Sequence, residues 1–106
     1  MDNHPIVIAD AEGVIRVWNP GAEAAFGHSA AQAIGQTLDL IVPPDFREDH
    51  WRGFRRAMAA GEAAVENQAT PFPARRADGQ VVETPGRVVL VRTPQGEAIG
   101  AMVVFG

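Results

Sequence analysis

The order of strand-like and helix-like segments constrains this chain more than any other feature of its sequence. Two short runs rich in β-branched residues come first, then a stretch of helical patterns, then three longer β-like runs. The strand-like runs cover residues 6–10, 14–19, 65–76, 80–92 and 97–105. The turns AEG, ADG and TPQG between them are typical of antiparallel hairpins, and Pro71 and Pro73 indicate an edge position for the third strand. Five strands with the helices inserted after the second predict an α+β fold: a five-stranded antiparallel sheet with short helices and one longer helix packed on one face.

Start and stop signals divide the helical stretch into short pieces. Asn19 followed by Pro20 predicts the start of a short helix that ends at Gly27, and Ser29 predicts the start of a second one that ends at Gly35. None of these helices is long enough to be stable alone, so we expect them to pack against the sheet.

One longer helix is predicted over residues 45–60, DFREDHWRGFRRAMAA. Asp45 is placed to cap it, Glu48 stands three positions later as in a capping box, and Gly61 follows as the stop. This helix is therefore expected to be the main element that covers the sheet.

Length and composition exclude several classes of protein. The chain has 106 residues, so we expect a single domain over residues 1–106. It contains no cysteine, which excludes disulfides and thiolate metal sites, and its net charge of −4 argues against nucleic acid as a partner. No apolar run is long enough to cross a membrane and the N-terminus lacks a signal-peptide pattern, so we expect a cytoplasmic protein with no membrane partner.

Motifs of catalysis are missing from the sequence. It has no Ser/His/Asp set at readable spacing, no HExxH and no phosphate-binding loop. We therefore expect a protein that is not an enzyme.

Several motifs resemble those of the PAS family. The stretch VIADAEGVIRVWNPGAEAAFGHSAAQAIGQTLDLIVPPDFRED is similar to the start of a PAS domain, with a hairpin, a WN-x-GAE-x-xFG helix and an A-x-x-x-IGQ-x-LDL-x-x-P segment. The later RRADGQVVE and GEAIGAMVVF are similar to its last hairpin and final strand. The resemblance runs from about residue 5 to 106, nearly the whole chain.

This resemblance implies a sensor or interaction domain with a ligand cavity between the inner face of the sheet and the longer helix. It also implies a homodimer that works in signal transduction, as in two-component systems or transcription regulation, and relays its state to an output domain or partner such as a histidine kinase. The sequence ends directly after the last strand, so we expect that output either in a longer parent chain or in a separate protein. Photosensors of this fold that form a flavin adduct or a thioester need a cysteine, which this chain lacks.

His50 is the candidate ligand residue on the longer helix. Phe46, His50, Phe54 and Met58 follow one another at four-residue spacing, which places them on one helix face. A histidine on an inward apolar face is desolvated, which favours the neutral imidazole, the form that binds iron. The pattern therefore allows haem with His50 as its axial, metal-binding ligand, and Trp51 could seal an edge of the pocket.

The stretch PPDFREDHWRGFRR is also similar to the long helix of haem-binding PAS domains in the oxygen-sensor kinases of nitrogen fixation. The resemblance implies that His50 is the axial ligand and that Arg56 binds a haem propionate. This sequence departs from those sensors at Thr70, where they carry an arginine that contacts bound oxygen. Oxygen discrimination through that arginine is therefore not expected here.

Two hypotheses follow from these residues. In the first, the domain binds a small ligand against His50, most specifically haem with a diatomic gas. In the second, it is a protein-interaction and dimerisation module whose core is filled by its own side chains, and His50 is a core residue with a satisfied hydrogen bond. Small residues near the helix, including Gly53 and Ala57, favour a cavity.

Other ligand candidates are weaker. Met58 and Met102 could serve as sixth ligands of an iron, but methionines at these spacings usually fill a core. His28 is predicted in a turn, and His4 lies in a terminus that is expected to be mobile.

Overall fold

A five-stranded antiparallel sheet is the centre of the structure, a computed structural model that describes residues 4–106. Its strands are β1 (Ile6–Asp10), β2 (Ile15–Trp18), β3 (Thr70–Arg75), β4 (Val81–Arg92) and β5 (Ala98–Phe105). They lie in the order β2-β1-β5-β4-β3, so the first and last strands of the chain are paired in the middle of the sheet. The predicted α+β fold is confirmed.

The helical segments all lie between β2 and β3 in the chain. They are α1 (Pro20–Phe26), α2 (Ala30–Ala33), two 3₁₀ turns (Leu38–Leu40 and Pro44–Phe46) and α3 (Arg47–Ala60). None of the helices within residues 4–106 is long and apolar enough to span a membrane. The longest of them, α3, packs across the inner face of the sheet as predicted.

Asn19 confirms its predicted role as a helix cap and also joins three parts of the chain. Its side-chain oxygen accepts hydrogen bonds from the backbone N–H of Ala22, at 2.9 Å, and of Ile6, at 2.8 Å. Its amide nitrogen donates to the carbonyl oxygen of His4 at 2.8 Å. The His4 ring nitrogen Nδ1 in turn lies 3.1 Å from the carbonyl oxygen of Phe105, which links the start of the chain to the end of β5.

The other local end signals are also confirmed. Ser29 and Gln32 form a reciprocal capping box at the start of α2. Gly27 and Gly61 end α1 and α3 with φ angles of 83° and 76°, the left-handed conformation that glycine adopts without a steric penalty.

The predicted cap at Asp45 is wrong. Asp45 lies within the 3₁₀ turn that Pro44 begins, and α3 starts only at Arg47, where no side chain caps the backbone. The fixed φ angle of proline favours this separate turn before the helix. Glu48 consequently makes no capping box and forms an ion pair with Arg52 at 3.1 Å.

The third strand is shorter than its sequence pattern indicates. It begins at Thr70, not at residue 65, because the preceding residues form turns in which Asn67 has a left-handed φ of 59°. Pro71 and Pro73 lie in this strand at the edge of the sheet, as predicted, where fewer backbone N–H groups are needed for pairing.

Glu66 fixes the connection between α3 and β3 to the sheet. Its carboxylate accepts hydrogen bonds from the backbone N–H of Leu90, at 3.0 Å, and from both terminal nitrogens of Arg92. Arg92 Nε also donates to the carbonyl oxygen of Gly61 at 2.9 Å. These donors, Arg92 first, lower the pKa of Glu66 from 4.5 to about 2.

The buried core has two parts. The larger is centred on the rings of Trp18, Phe26 and Phe105, with centroid distances of 5.7 Å between Trp18 and Phe26 and 5.1 Å between Phe26 and Phe105. The smaller joins Ala57 of α3 to Leu90 and Ala101 of the sheet. The two parts hold α1 and the second half of α3 against the same face of the sheet.

Glu66→Gln should lower the free energy of unfolding at pH 7, because it removes a charge-assisted pair and leaves Arg92 without its main partner. The folded-state pKa of Glu66 is depressed, so its contribution is complete above pH 4.5 and is lost as the pH falls towards about 2. Chemical denaturation of both proteins across this range should therefore show a difference that shrinks in acid.

Glu83→Gln is the matched control, since Glu83 is an exposed carboxylate of β4 that makes no ion pair with the described residues. It should change stability little at any pH. A difference between wild type and Glu66→Gln that stays constant down to about pH 2 would contradict a role for the Glu66 charge.

Candidate functional site

An apolar cavity of about 340 Å³ lies between the start of α3, the preceding 3₁₀ turns and strands β3, β4 and β5. Its walls are formed by Leu38, Ile41, Val42, Phe46, Asp49, His50, Phe72, Pro73, Ala74, Val88, Val103 and Phe105. Asp49 and His50 are the polar residues of this wall. The cavity therefore suits a largely apolar ligand that makes one or two polar contacts.

Strand alternation and one glycine build the floor of the cavity. Val88 of β4 pairs with Val103 of β5, and side chains two residues apart along a strand point to the same face. Gly86 pairs with Phe105, and a Cβ at this position would lie only 3.1 Å from the Phe105 ring and 3.3 Å from the Phe72 ring. The missing side chain leaves room for the two aromatic rings, whose centroids are 6.4 Å apart.

His50 lies on the cavity wall with one nitrogen unpaired. The ring is half-buried, and its Nδ1 atom is buried without a hydrogen-bond partner among residues 4–106. Burial lowers the pKa of His50 below 6.5, and the negative charge of Asp39 opposes this shift only in part. The ring also contacts Trp51 and Phe54, with centroid distances of 4.9 and 6.0 Å. His50 is therefore neutral at pH 7 and held by aromatic packing.

Trp51 fixes the beginning of α3 above the sheet. Its indole Nε1 donates a hydrogen bond of 2.7 Å to Asp39 Oδ1. Its ring lies directly on the backbone of Gly13, where an added methyl group would overlap it. Arg47 Nε also joins the start of α3 to the preceding segment, by donating a hydrogen bond of 3.1 Å to the carbonyl oxygen of Val42. These contacts set the position of His50, one residue before Trp51.

Two of the seven residues predicted for the ligand site line the cavity. They are His50 and Phe46, and Phe46 lies at the mouth with 48% of its surface exposed. Trp51 and Phe54 pack against the core beneath α3 and do not form part of the wall.

The other three predicted residues lie away from the cavity wall. Met58 packs against the smaller core cluster that contains Ala57, and it borders a separate, polar surface space of about 420 Å³ at the end of α3, away from His50. The Thr70 hydroxyl donates to the carbonyl oxygen of Gln68 at 3.0 Å. Arg56 is exposed on α3.

Arg56 shares a helix face with Asp49, which lines the cavity. It follows Asp49 by seven residues, about two helical turns, so the two side chains share a face. Gly53 lies between them, and no atom lies within 4 Å of the position of a Cβ at Gly53. The helix surface between Asp49 and Arg56 is therefore uncovered, although Gly53 and Arg56 do not line the cavity.

Most of the wall was not identified from the sequence. Its members Phe72, Ala74, Val88 and Val103 occur in the predicted strands at alternate positions, which is a usable signal for one face of a sheet. The alternation does not show which part of that face is left uncovered by a helix, and so it could not identify the cavity.

A metal site built from protein groups alone is not found in the described part of the chain. Within residues 4–106, no group of three or more His, Asp or Glu side chains is placed to hold an ion. A metal at His50 would therefore need most of its ligands from a cofactor.

Comparison with known proteins identifies relatives among sensor proteins. An uncharacterized protein of Azorhizobium caulinodans is 36% identical over 72% of this chain and 10% of its own length. Oxygen sensor protein DosP of Escherichia coli is 27% identical over 74% of this chain and 10% of its own. Sensor protein FixL of Bradyrhizobium diazoefficiens is 26% identical over 70% of this chain and 15% of its own. The chain thus spans only a small part of the length of these relatives.

The structural comparison and the family model agree on the PAS fold. A PAS domain from Colwellia psychrerythraea superposes with a TM-score of 0.83 over 99% of this chain and 86% of that one, at 23% identity. The family model described as the PAS fold matches residues 3–105. With its five-stranded sheet and the long helix across one face, the chain belongs to the PAS family of sensory and interaction domains.

Proposed function

We propose that this PAS domain senses a small ligand in the cavity against His50, and that the ligand is haem with His50 as its axial ligand. The observation that carries the proposal is a neutral imidazole on the wall of an apolar cavity. Nδ1 is covered by protein atoms, so Nε2 is the nitrogen left to bind a ligand in the cavity.

The walls of the cavity fit a flat, mainly apolar cofactor. Phe46 and Asp49 are the exposed residues of the wall, so the cavity opens to solvent beside them. A flat molecule can enter here with its apolar part inward and its polar edge in solvent. The cavity volume of about 340 Å³ is at the low end for ligand sites, so a porphyrin requires the exposed Phe46 side chain to move outward.

The relatives support a gas-sensing role. DosP is named an oxygen sensor and FixL a sensor protein, and both align with about seven-tenths of this chain. Haem iron supplies reversible binding of diatomic gases and a change of redox state. This chain would hold the iron through His50, exclude water with its apolar walls, and pair an exposed propionate with Arg56. Thr70 lacks a guanidinium, so we expect no arginine contact with the gas from this position.

The alternative is an interaction module whose core is filled by its own side chains. The open cavity beside His50 does not support a filled core. The interaction hypothesis finds its support on the other face of the sheet. Val17, Ile8, Met102 and Val89 are paired side by side across β2, β1, β5 and β4 and form one apolar row on the outer face. Val17 is 40% exposed. We propose that this row, the outer row, is the contact of a homodimer.

The outer row also offers a path for the signal. Met102 of the outer row and Val103 of the cavity wall are consecutive residues of β5, so a ligand that displaces the floor displaces the outer face. We propose that a partner or output domain of the histidine kinase type, within a cytoplasmic two-component or transcription-control system, responds to this change.

The visible spectrum tests the haem proposal. Protein expressed with haem precursor should show a Soret band that shifts between the oxidised, reduced and carbon monoxide-treated states. His50→Ala should lose this band while its circular dichroism remains that of a folded domain, because no other residue of the cavity wall binds iron as a neutral imidazole. His28→Ala is the matched control and should keep the band, since His28 is not part of that wall. A colourless wild-type protein that also refuses added haemin would overturn the proposal.

Filling the cavity tests its location independently of His50. Val103→Phe places a ring in the cavity, so haemin affinity should fall at least tenfold while the free energy of unfolding changes by less than about 1 kcal/mol. Val104→Phe changes the next residue, which points to the opposite face, and should leave the affinity unchanged. Equal affinity in Val103→Phe and wild type, measured by haemin titration, would place the ligand elsewhere.

A charge in the outer row tests the dimer. Met102→Glu should weaken self-association at least tenfold, because a carboxylate would be buried without a partner in the apolar contact. Val82→Glu is the control, since Val82 is exposed but pairs with Ala74 of the cavity wall and so lies on the inner face. Sedimentation equilibrium gives both constants. A wild-type protein that is monomeric throughout, or a dimer equally weakened by both changes, would contradict the proposed contact.

A further inference from the structure

A polar cleft of about 330 Å³ lies behind the apolar cavity. It is bounded by the Leu38–Leu40 turn on one side and by the end of β3 on the other. Leu38 and Ile41 face the apolar cavity, whereas Asp39 and Leu40 face the cleft. The two spaces therefore share a wall but have different chemistry.

Three arginines line this cleft, in a chain whose net charge is −4. They are Arg47, Arg75 and Arg76, and the carboxylate that lines the cleft with them is that of Asp39. Arg47 Nε lies 3.8 Å from Asp39 Oδ1 and Arg76 Nε lies 4.0 Å from Asp78 Oδ2, and the lining of the cleft itself has three guanidinium groups and one carboxylate. The charge of the cleft lining is therefore opposite in sign to the net charge of the protein.

Arg76 has a donor with no acceptor. Its Nε is buried and makes no hydrogen bond with any residue in the described range 4–106. The Asp78 carboxylate is 4.0 Å away, which is beyond hydrogen-bond distance. Arg75 is exposed and makes no ion pair with the described residues. The Nε atom is covered by the protein, but the side chain as a whole is 41% exposed and its terminal nitrogens make no hydrogen bond with residues 4–106, so these nitrogens are open to an acceptor from outside the chain.

The backbone around the two arginines is held in place before any ligand arrives. The N–H of Arg75 donates to the carbonyl oxygen of Ile41, and that of Ala77 to the carbonyl oxygen of Phe26, each at 2.8 Å. A Cβ at Gly27 would lie 3.1 Å from the Ala77 side chain, so α1 and the β3–β4 turn are in close contact. Binding in this cleft therefore requires little ordering of the backbone, which favours affinity.

We infer that the cleft binds the oxyanion group of a small molecule, a carboxylate or a phosphate, through the guanidinium groups of Arg76 and Arg75. The planar guanidinium fork matches both kinds of group, often with two parallel hydrogen bonds. Gln36, Thr37 and His28 border the same space and supply further polar contacts for the remainder of the molecule. The inference does not depend on haem or on His50.

Amide chemical shifts and calorimetry test the site with two probes, inorganic phosphate and citrate. Saturation of the wild-type protein should shift amide signals of residues 36–40 and 75–77, and whichever probe binds more tightly identifies the oxyanion. Arg76→Gln should weaken binding about tenfold or more, as expected for loss of a charge-assisted hydrogen bond. Arg75→Gln, an exposed change with little effect on folding, should weaken it in the same direction.

Arg55→Gln is the matched control, because Arg55 is an exposed arginine of α3 that does not line the cleft. It should leave both affinities unchanged. Weakening of the same size in Arg55→Gln would show binding by overall charge and overturn the inference. The inference would also be overturned if neither probe, at about 10 mM, shifted the amide signals of the cleft. This concentration nearly saturates a site with a Kd of about 1 mM.

Discussion

The indole of Trp51 is the contact on which the position of α3 depends. Its ring covers the backbone of Gly13, and its Nε1 donates to Asp39, so one side chain joins the β1–β2 turn, the 3₁₀ turn and the long helix. Gly13 has a φ of 81° and no room for a side chain beneath the ring, so this turn requires glycine for two reasons. Because His50 directly precedes Trp51, the same contact holds the imidazole above the apolar floor.

The 3₁₀ turn around Asp39 separates two spaces of opposite chemistry. Leu38 and Ile41 line the apolar cavity, and Asp39 and Leu40 between them line the arginine-lined cleft. Asp39 itself accepts the Trp51 hydrogen bond, lies 3.8 Å from Arg47, and opposes the lowering of the His50 pKa. A displacement of this turn would move the Asp39 carboxylate, and so would change the charge in the cleft and the electrostatic environment of His50 at the same time. In a sensor domain, such a shared wall is a short physical link between the two proposed ligand sites.

Local signals in the sequence predicted local structure well, and their failures have physical causes. Asn19, Ser29, Gly27 and Gly61 act as predicted because caps involve only residues within a few positions of the helix end. The predicted cap at Asp45 fails because Pro44 begins a separate 3₁₀ turn, and Phe46 in the same turn lines the cavity with His50 but is 48% exposed.

The sequence by itself determined the order of the elements, most of their ends and the inward face of α3 that carries His50, because hydrophobic period and capping are encoded by near neighbours. Only the tertiary structure decided where space remains. The cavity joins residues from 38 to 105 and the cleft joins residues from 28 to 77, brought together by a sheet in which β1 pairs with β5. The volume of an opening between elements depends on how completely the side chains of all of them fill the space. This packing cannot be read from any one segment of the sequence.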